Sequence, residues 1–156
     1  MSEETSLEKV DRTDWDPGPW DAEEDRYQWK TRSGLPGLIV RNNLGNLCGY
    51  AAVAPGHAMY GKSYETPDVD VHGGLTFGSK CHGAICHIPD PGEPDDVWWF
   101  GFDCAHAGDL LPARTAMAKR IQGYPKMRGE FDGTYRDVAY VRAQVEDLAR
   151  QLAEMA

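Results

Sequence analysis

The chain has 156 residues with 41% hydrophobic side chains, which is enough for one domain with its own core. Its four cysteines are too few for a disulfide scaffold. The formal net charge of −9 disfavours a generally basic nucleic-acid-binding surface, and no apolar run reaches membrane-spanning length.

The acidity is concentrated at the start. Residues 1–25 carry ten acids against Lys9 and Arg12, a net of −8, whereas the remaining residues are close to neutral. A charge block of this kind reads as a solvated tail. The expected organisation is therefore an acidic, flexible N-terminal tail over residues 1–25 and one α+β domain over residues 26–156. Trp15 and Trp20 read as packing anchors rather than platforms for stacking bases. The opening MSEETSLEKV is unlike a signal peptide. A cytoplasmic location follows as an expectation, with Cys48, Cys81, Cys86 and Cys104 reduced unless they bind metal or react.

The predicted elements follow in chain order. Arg26–Thr31 alternates as a strand, Gly34–Gly37 is a Gly/Pro turn, and Leu38–Arg41 is a second strand. Asn42–Gly45 turns into a third strand at Asn46–Val53, which makes an antiparallel meander. A loop at Pro55–Gly61 precedes a fourth strand near Val69–Phe77, which includes His72-Gly73-Gly74. A Pro/Asp/Gly-rich excursion, residues 79–96, leads to a fifth strand at Val97–Asp103. Residues 110–129 hold five bases and no acid, a pattern that fits either a solvated loop with a short helix or an anion-binding flap. From Tyr135 to Met155 the apolar positions Val138, Val141, Val145, Leu148, Leu152 and Met155 recur at helical spacing. Thr134 and Asp137 supply a capping-box-like start. The fold class is α+β: an antiparallel sheet of about five strands packed by one long C-terminal helix.

Three constellations could carry chemistry. In WWFGFDCAHAGD, residues 98–109, strand alternation sends Trp98, Phe100, Phe102 and Cys104 to an aromatic core face and puts Trp99 and Gly101 on the other row, which delivers Asp103 at the strand end. His106 and Asp109 follow in a loop able to fold back towards it. The same aspartates could instead hold turns through backbone N–H groups. In VHGGLT, residues 71–76, His72 stands beside Gly73 and Gly74, where paired glycines suggest close approach by a ligand or by backbone. Together these residues predict a ligand-binding set of His72, Gly73, Gly74, Asp103, His106, Asp109 and Arg114. The same His72, Asp103, His106 and Asp109 are candidate ligands for a divalent metal, zinc or manganese. A third cluster, Cys81-His82-Gly83-Ala84-Ile85-Cys86-His87, offers Cys81 and Cys86 as zinc ligands, with His57 as a distant helper, although its spacing departs from the common structural zinc patterns. Cys104, predicted among aromatics, reads as a buried thiol rather than a nucleophile.

The combination of VHGGLTF, WWFGFDCAHAGD and YRDVAYVRAQVEDLARQL resembles a group of small bacteriophage- and prophage-encoded proteins over most of residues 35–152. No activity is carried over by that resemblance. It implies a phage or mobile-element origin, action inside a bacterial host, and a prior for an accessory or counter-defence role. Three functions fit: binding of a small polar or anionic, nucleotide-like ligand; metal-dependent hydrolysis by the same His/Asp set; and inhibition of a host protein through the acidic tail. The expected partners are a small-molecule ligand or a host protein, without membrane and without nucleic acid.

Overall fold

The computed structural model describes residues 10–113 and 133–156. Strands β1 (Arg26–Lys30), β2 (Pro36–Arg41), β3 (Leu47–Val53), β4 (Phe77–Lys80) and β5 (Trp98–Asp103) form one sheet in the order β1-β2-β3-β5-β4, antiparallel throughout. Helix α1 (Val138–Ala153) packs on one face. The architecture is the α+β arrangement expected from the periodicities. The first three strands form the meander, whereas β5 inserts beside β3 and leaves β4 at the edge.

The apolar stripe of α1 explains the first face. Val141, Val145, Leu148 and Leu152 are wholly buried against Ile39, Leu47, Ala51, Phe100 and Phe102. Val138 and Met155 close the ends of the stripe, partly buried. Every residue of β3 is buried, so the opposite face is covered as well, by the 81–96 excursion. That segment spans the sheet from β4 to β1, where the Arg26 guanidinium meets the Cys86 carbonyl, Gln28 pairs with both the N–H and the C=O of Ile88, and Lys30 meets Glu93 at 2.8 Å. Ile85 and the edge of the His87 ring cover Trp99, Tyr50 and Leu38 beneath.

Three expectations are corrected here. Residues 69–74 are loop, not strand. Consecutive left-handed glycines at Gly73 (φ 71°) and Gly74 (φ 84°) break extended pairing, and the backbone bonds the helix flank instead. Gln144 accepts from His72 N–H, while Gln151 takes both the N–H and the C=O of Asp70. The cap of α1 is Asp137, whose carboxylate accepts from Tyr140 N–H. Thr134 is drawn away into a parallel bridge with Asp109.

The third correction concerns the acidic segment. Residues 1–9 lie outside the described residues, but 10–25 are docked. Trp20 is buried edge-on to Tyr135. Two of its acids are partners of a buried cation rather than solvated charges: Glu23 and Asp25 both pair with Arg41, whose side chain has no solvent exposure. Glu23 also accepts from Tyr135 hydroxyl and from Val138 N–H at the start of α1. A local charge count cannot see this, because the compensating cation lies in β2.

Candidate functional site

Asp109 organises the polar cluster at the N-terminal end of α1. The turn after β5 is closed by Asp109 N–H donating to the His106 carbonyl, and Thr134 pins Gly108 to Leu110 through two backbone bonds. The Asp109 side chain, 1% exposed, accepts three hydrogen bonds. Oδ2 takes His72 Nε2–H at 2.8 Å and His106 N–H at 3.0 Å, and Oδ1 takes Arg136 Nε–H at 2.9 Å. Burial alone would push its carboxyl pKa up, but the bonds from His72, Arg136 and the His106 amide outweigh this and hold it below the usual carboxylate range.

His72 bridges this carboxylate to the helix. With Nε2–H given to Asp109, the neutral imidazole presents Nδ1 as an acceptor to the Tyr140 hydroxyl, 2.8 Å away. The Arg136 guanidinium lies over the Tyr140 ring, 4.8 Å from its centroid. Beyond His72, the His106 ring stands edge-on at 5.8 Å between centroids. His106 Nε2 is 3.1 Å from Asp103 Oδ1, but it is not aligned for a hydrogen bond, and the atom is buried without a hydrogen-bond partner among the described residues. A side chain at Gly73 would overlap the His106 ring, whereas the space beside Gly74 is open.

His72, Asp103, His106 and Asp109 therefore stand in one cluster, with Gly73 backing it. Asp103 and Asp109 also hold the turn through Ala105 N–H and His106 N–H. Arg114 lies outside the described residues. Tyr140, Arg136 and Gln144 were not singled out from the sequence. The available signal was their position: Tyr140 and Gln144 are one helical turn apart on the polar flank of an amphipathic helix, and Arg136 directly precedes its cap.

The metal expectations fare differently. No group of three His, Cys, Asp or Glu among the described residues is arranged to hold an ion. The donor atoms of His72 and Asp109 are turned on each other, Tyr140 and Arg136. Cys81 and Cys86 are not zinc ligands and are not free thiols: their sulfurs are joined in a disulfide across the bridged turn His82–Ile85. His57 is likewise engaged, accepting from Met59 N–H at Nδ1 and capping the Leu152 carbonyl through Nε2. Cys104 is 2% exposed, and burial raises its thiol pKa, as it does for Cys48, which is pushed up to about 12.

Two cavities bounded by described residues lie elsewhere, one between β1 and the excursion at Trp29, His87 and Glu93, the other between the β1–β2 turn and α1 at Arg32, Glu146 and Arg150. Among the described residues no helix is long and apolar enough to cross a membrane. No protein-family model, curated protein or solved structure matches this chain.

Proposed function

We propose that the chain binds a small polar or anionic ligand at the cluster around Asp109. The observation that supports it is that one buried carboxylate gathers His72, the His106 amide and Arg136. Its own charge is thereby offset, and the half-exposed His106 ring and Arg136 guanidinium are left at the solvent edge. Cationic and imidazole donors on a rigid base suit a phosphate- or carboxylate-bearing molecule of nucleotide size. A Cβ at Gly74 would meet no atom within 4 Å, which leaves the backbone there open to approach. The resemblance to phage and prophage proteins supports a setting in the cytoplasm of a bacterial host, where the Cys81–Cys86 disulfide departs from the reduced thiols usual in that compartment, and an accessory, counter-defence role. There, sequestering a host nucleotide signal would be sufficient.

The experiment follows the imidazole signals of His72 and His106 by NMR while inorganic phosphate and a nucleoside monophosphate are titrated. Mass spectrometry of small molecules that co-purify with the protein accompanies it. Saturable movement of both imidazoles, lost in Arg136→Ala, is the expected result. Imidazole signals that ignore both anions refute the reading.

A further inference from the structure

The hydrogen-bond chain that begins at buried Asp109 and passes through both nitrogens of His72 ends on a hydroxyl, Tyr140 Oη. A carboxylate orienting an imidazole that in turn contacts an O–H is the arrangement by which proteins activate weak oxygen nucleophiles, tyrosine among them. We propose that Tyr140 is a nucleophile activated by His72, and that the anionic ligand is a phosphate ester cleaved through a phosphotyrosine intermediate. This rests on the ligand-binding reading above and adds turnover to it.

The parts are placed for that chemistry. Asp109 holds a proton of His72 on Nε2, so in the neutral imidazole Nδ1 is the basic nitrogen, 2.8 Å from the phenolic oxygen. Tyr140 lies in the first turn of α1, half-buried, where the positive end of the helix favours developing negative charge. Arg136 sets its guanidinium against the same ring, and its fork matches phosphate oxygens. Asp109 acts through His72 and is a positioning residue.

In the first step the Tyr140 proton passes to His72 Nδ1, Oη forms a bond to phosphorus, and the ester P–O bond breaks. The departing alkoxide takes a proton from water, and His72 releases its proton to the hydroxide so formed. In the second step His72 takes a proton from a water that adds to phosphorus. The P–Oη bond then breaks, and the phenolate recovers that proton. A phenolate, with a conjugate-acid pKa near 10, leaves more readily than the alkoxide displaced in the first step.

The test uses the full chain and two electrophiles, an aryl sulfonyl fluoride and a fluorophosphonate, each of which loses fluoride when an activated Oη attacks. Adducts are quantified by peptide mass spectrometry, with Tyr64, 40% exposed, as the internal reference. Tyr140 is expected to react on the order of a hundredfold faster than Tyr64, the gain a positioned base typically supplies. His72→Gln should reduce it to the Tyr64 rate, and Tyr140→Phe should remove that adduct alone. A wild-type Tyr140 that reacts no faster than Tyr64 overturns the proposal without reference to any variant, as does a folded His72→Gln protein with undiminished reactivity. Phosphate binding, read separately from the imidazole signals, distinguishes the two readings. Binding with an inert Tyr140 removes the nucleophile alone. A reactive Tyr140 without phosphate binding overturns the phosphate-ester assignment.

Discussion

Replacing Arg41 by Ala probes how the acidic segment is held. The guanidinium has no solvent exposure. It donates to Asp25 at 2.8 Å, Tyr135 hydroxyl at 2.7 Å, the Gly45 carbonyl at 2.9 Å, and Glu23 and the Glu24 carbonyl at 3.1 Å each. Removing one partner of a buried pair costs roughly 3–5 kcal/mol, because the charge left behind is uncompensated. Here Asp25 keeps Arg12 and Val10 N–H, while Glu23 keeps Tyr135 and Val138 N–H. This places the loss nearer the lower figure, about 3 kcal/mol. Against a typical domain stability of about 5–15 kcal/mol, that is a large share. At about 2–4 °C per kcal/mol for a chain of this size, it lowers Tm by roughly 6–12 °C. Urea unfolding followed by circular dichroism, alongside a thermal scan, measures both. A loss under about 1 kcal/mol, within the range of exposed ion pairs, would refute the docking of residues 10–25. Deleting residues 1–25 should be at least as damaging, since it removes Trp20 and both carboxylates together.

Asp109→Asn should destabilise the fold by about 1–3 kcal/mol at neutral pH, as buried hydrogen bonds to a charged acceptor are lost. Because the folded carboxyl is held below its ordinary value, its contribution is present above the unfolded pKa near 3.9 and disappears as pH falls through the folded one. The gap between wild type and variant should therefore close below about pH 4, and a gap constant down to strong acid would contradict the geometry. Gly73→Ala combines a left-handed φ of 71° with overlap of the His106 ring, whereas Gly74→Ala, at φ 84°, meets open space. Both should lose about 1–2 kcal/mol from backbone strain, but only Gly73→Ala should shift the His106 imidazole signals in NMR, and equal shifts would count against the packing described. Alkylation of denatured protein should label two cysteines without reductant and four with it. Labelling of four in both cases would remove the Cys81–Cys86 bond.

Much of the fold was legible because local pattern and tertiary role coincide. The stripe from Val138 to Met155 could only be a helix covering an apolar face, and it lies on Ile39, Ala51 and Phe100. The alternation in Val97–Asp103 placed Phe100, Phe102 and Cys104 in the core beneath it. The cap at Thr134 and the strand at Val69–Phe77 both misled, the strand in part because Gly73 and Gly74 take left-handed φ. Each was assigned by residue type, and distant partners took those residues elsewhere: Asp109 claimed Thr134, and the Gln144 and Gln151 side chains claimed the backbone of residues 70–72. The second face was illegible as well, because the segment that covers it is held through Arg26 and Gln28 of the far edge strand.

For the cluster, the amino-acid sequence by itself determined which groups were available. A strand end delivers Asp103, a glycine-containing turn returns Asp109 beside His106, and paired glycines flank His72. Spacing along one segment is enough for that, since each group is set by residues within a few positions of it. Only the tertiary structure decided what the groups do to one another. His72 lies 37 residues from Asp109 and 68 from Tyr140, and no periodicity spans such separations. Packing of the loop onto the helix flank brings them within hydrogen-bond length. The same holds for Arg41 with Glu23 and Asp25: their charges are read from the sequence, but their neutralisation depends on burial, which is a property of the folded chain alone.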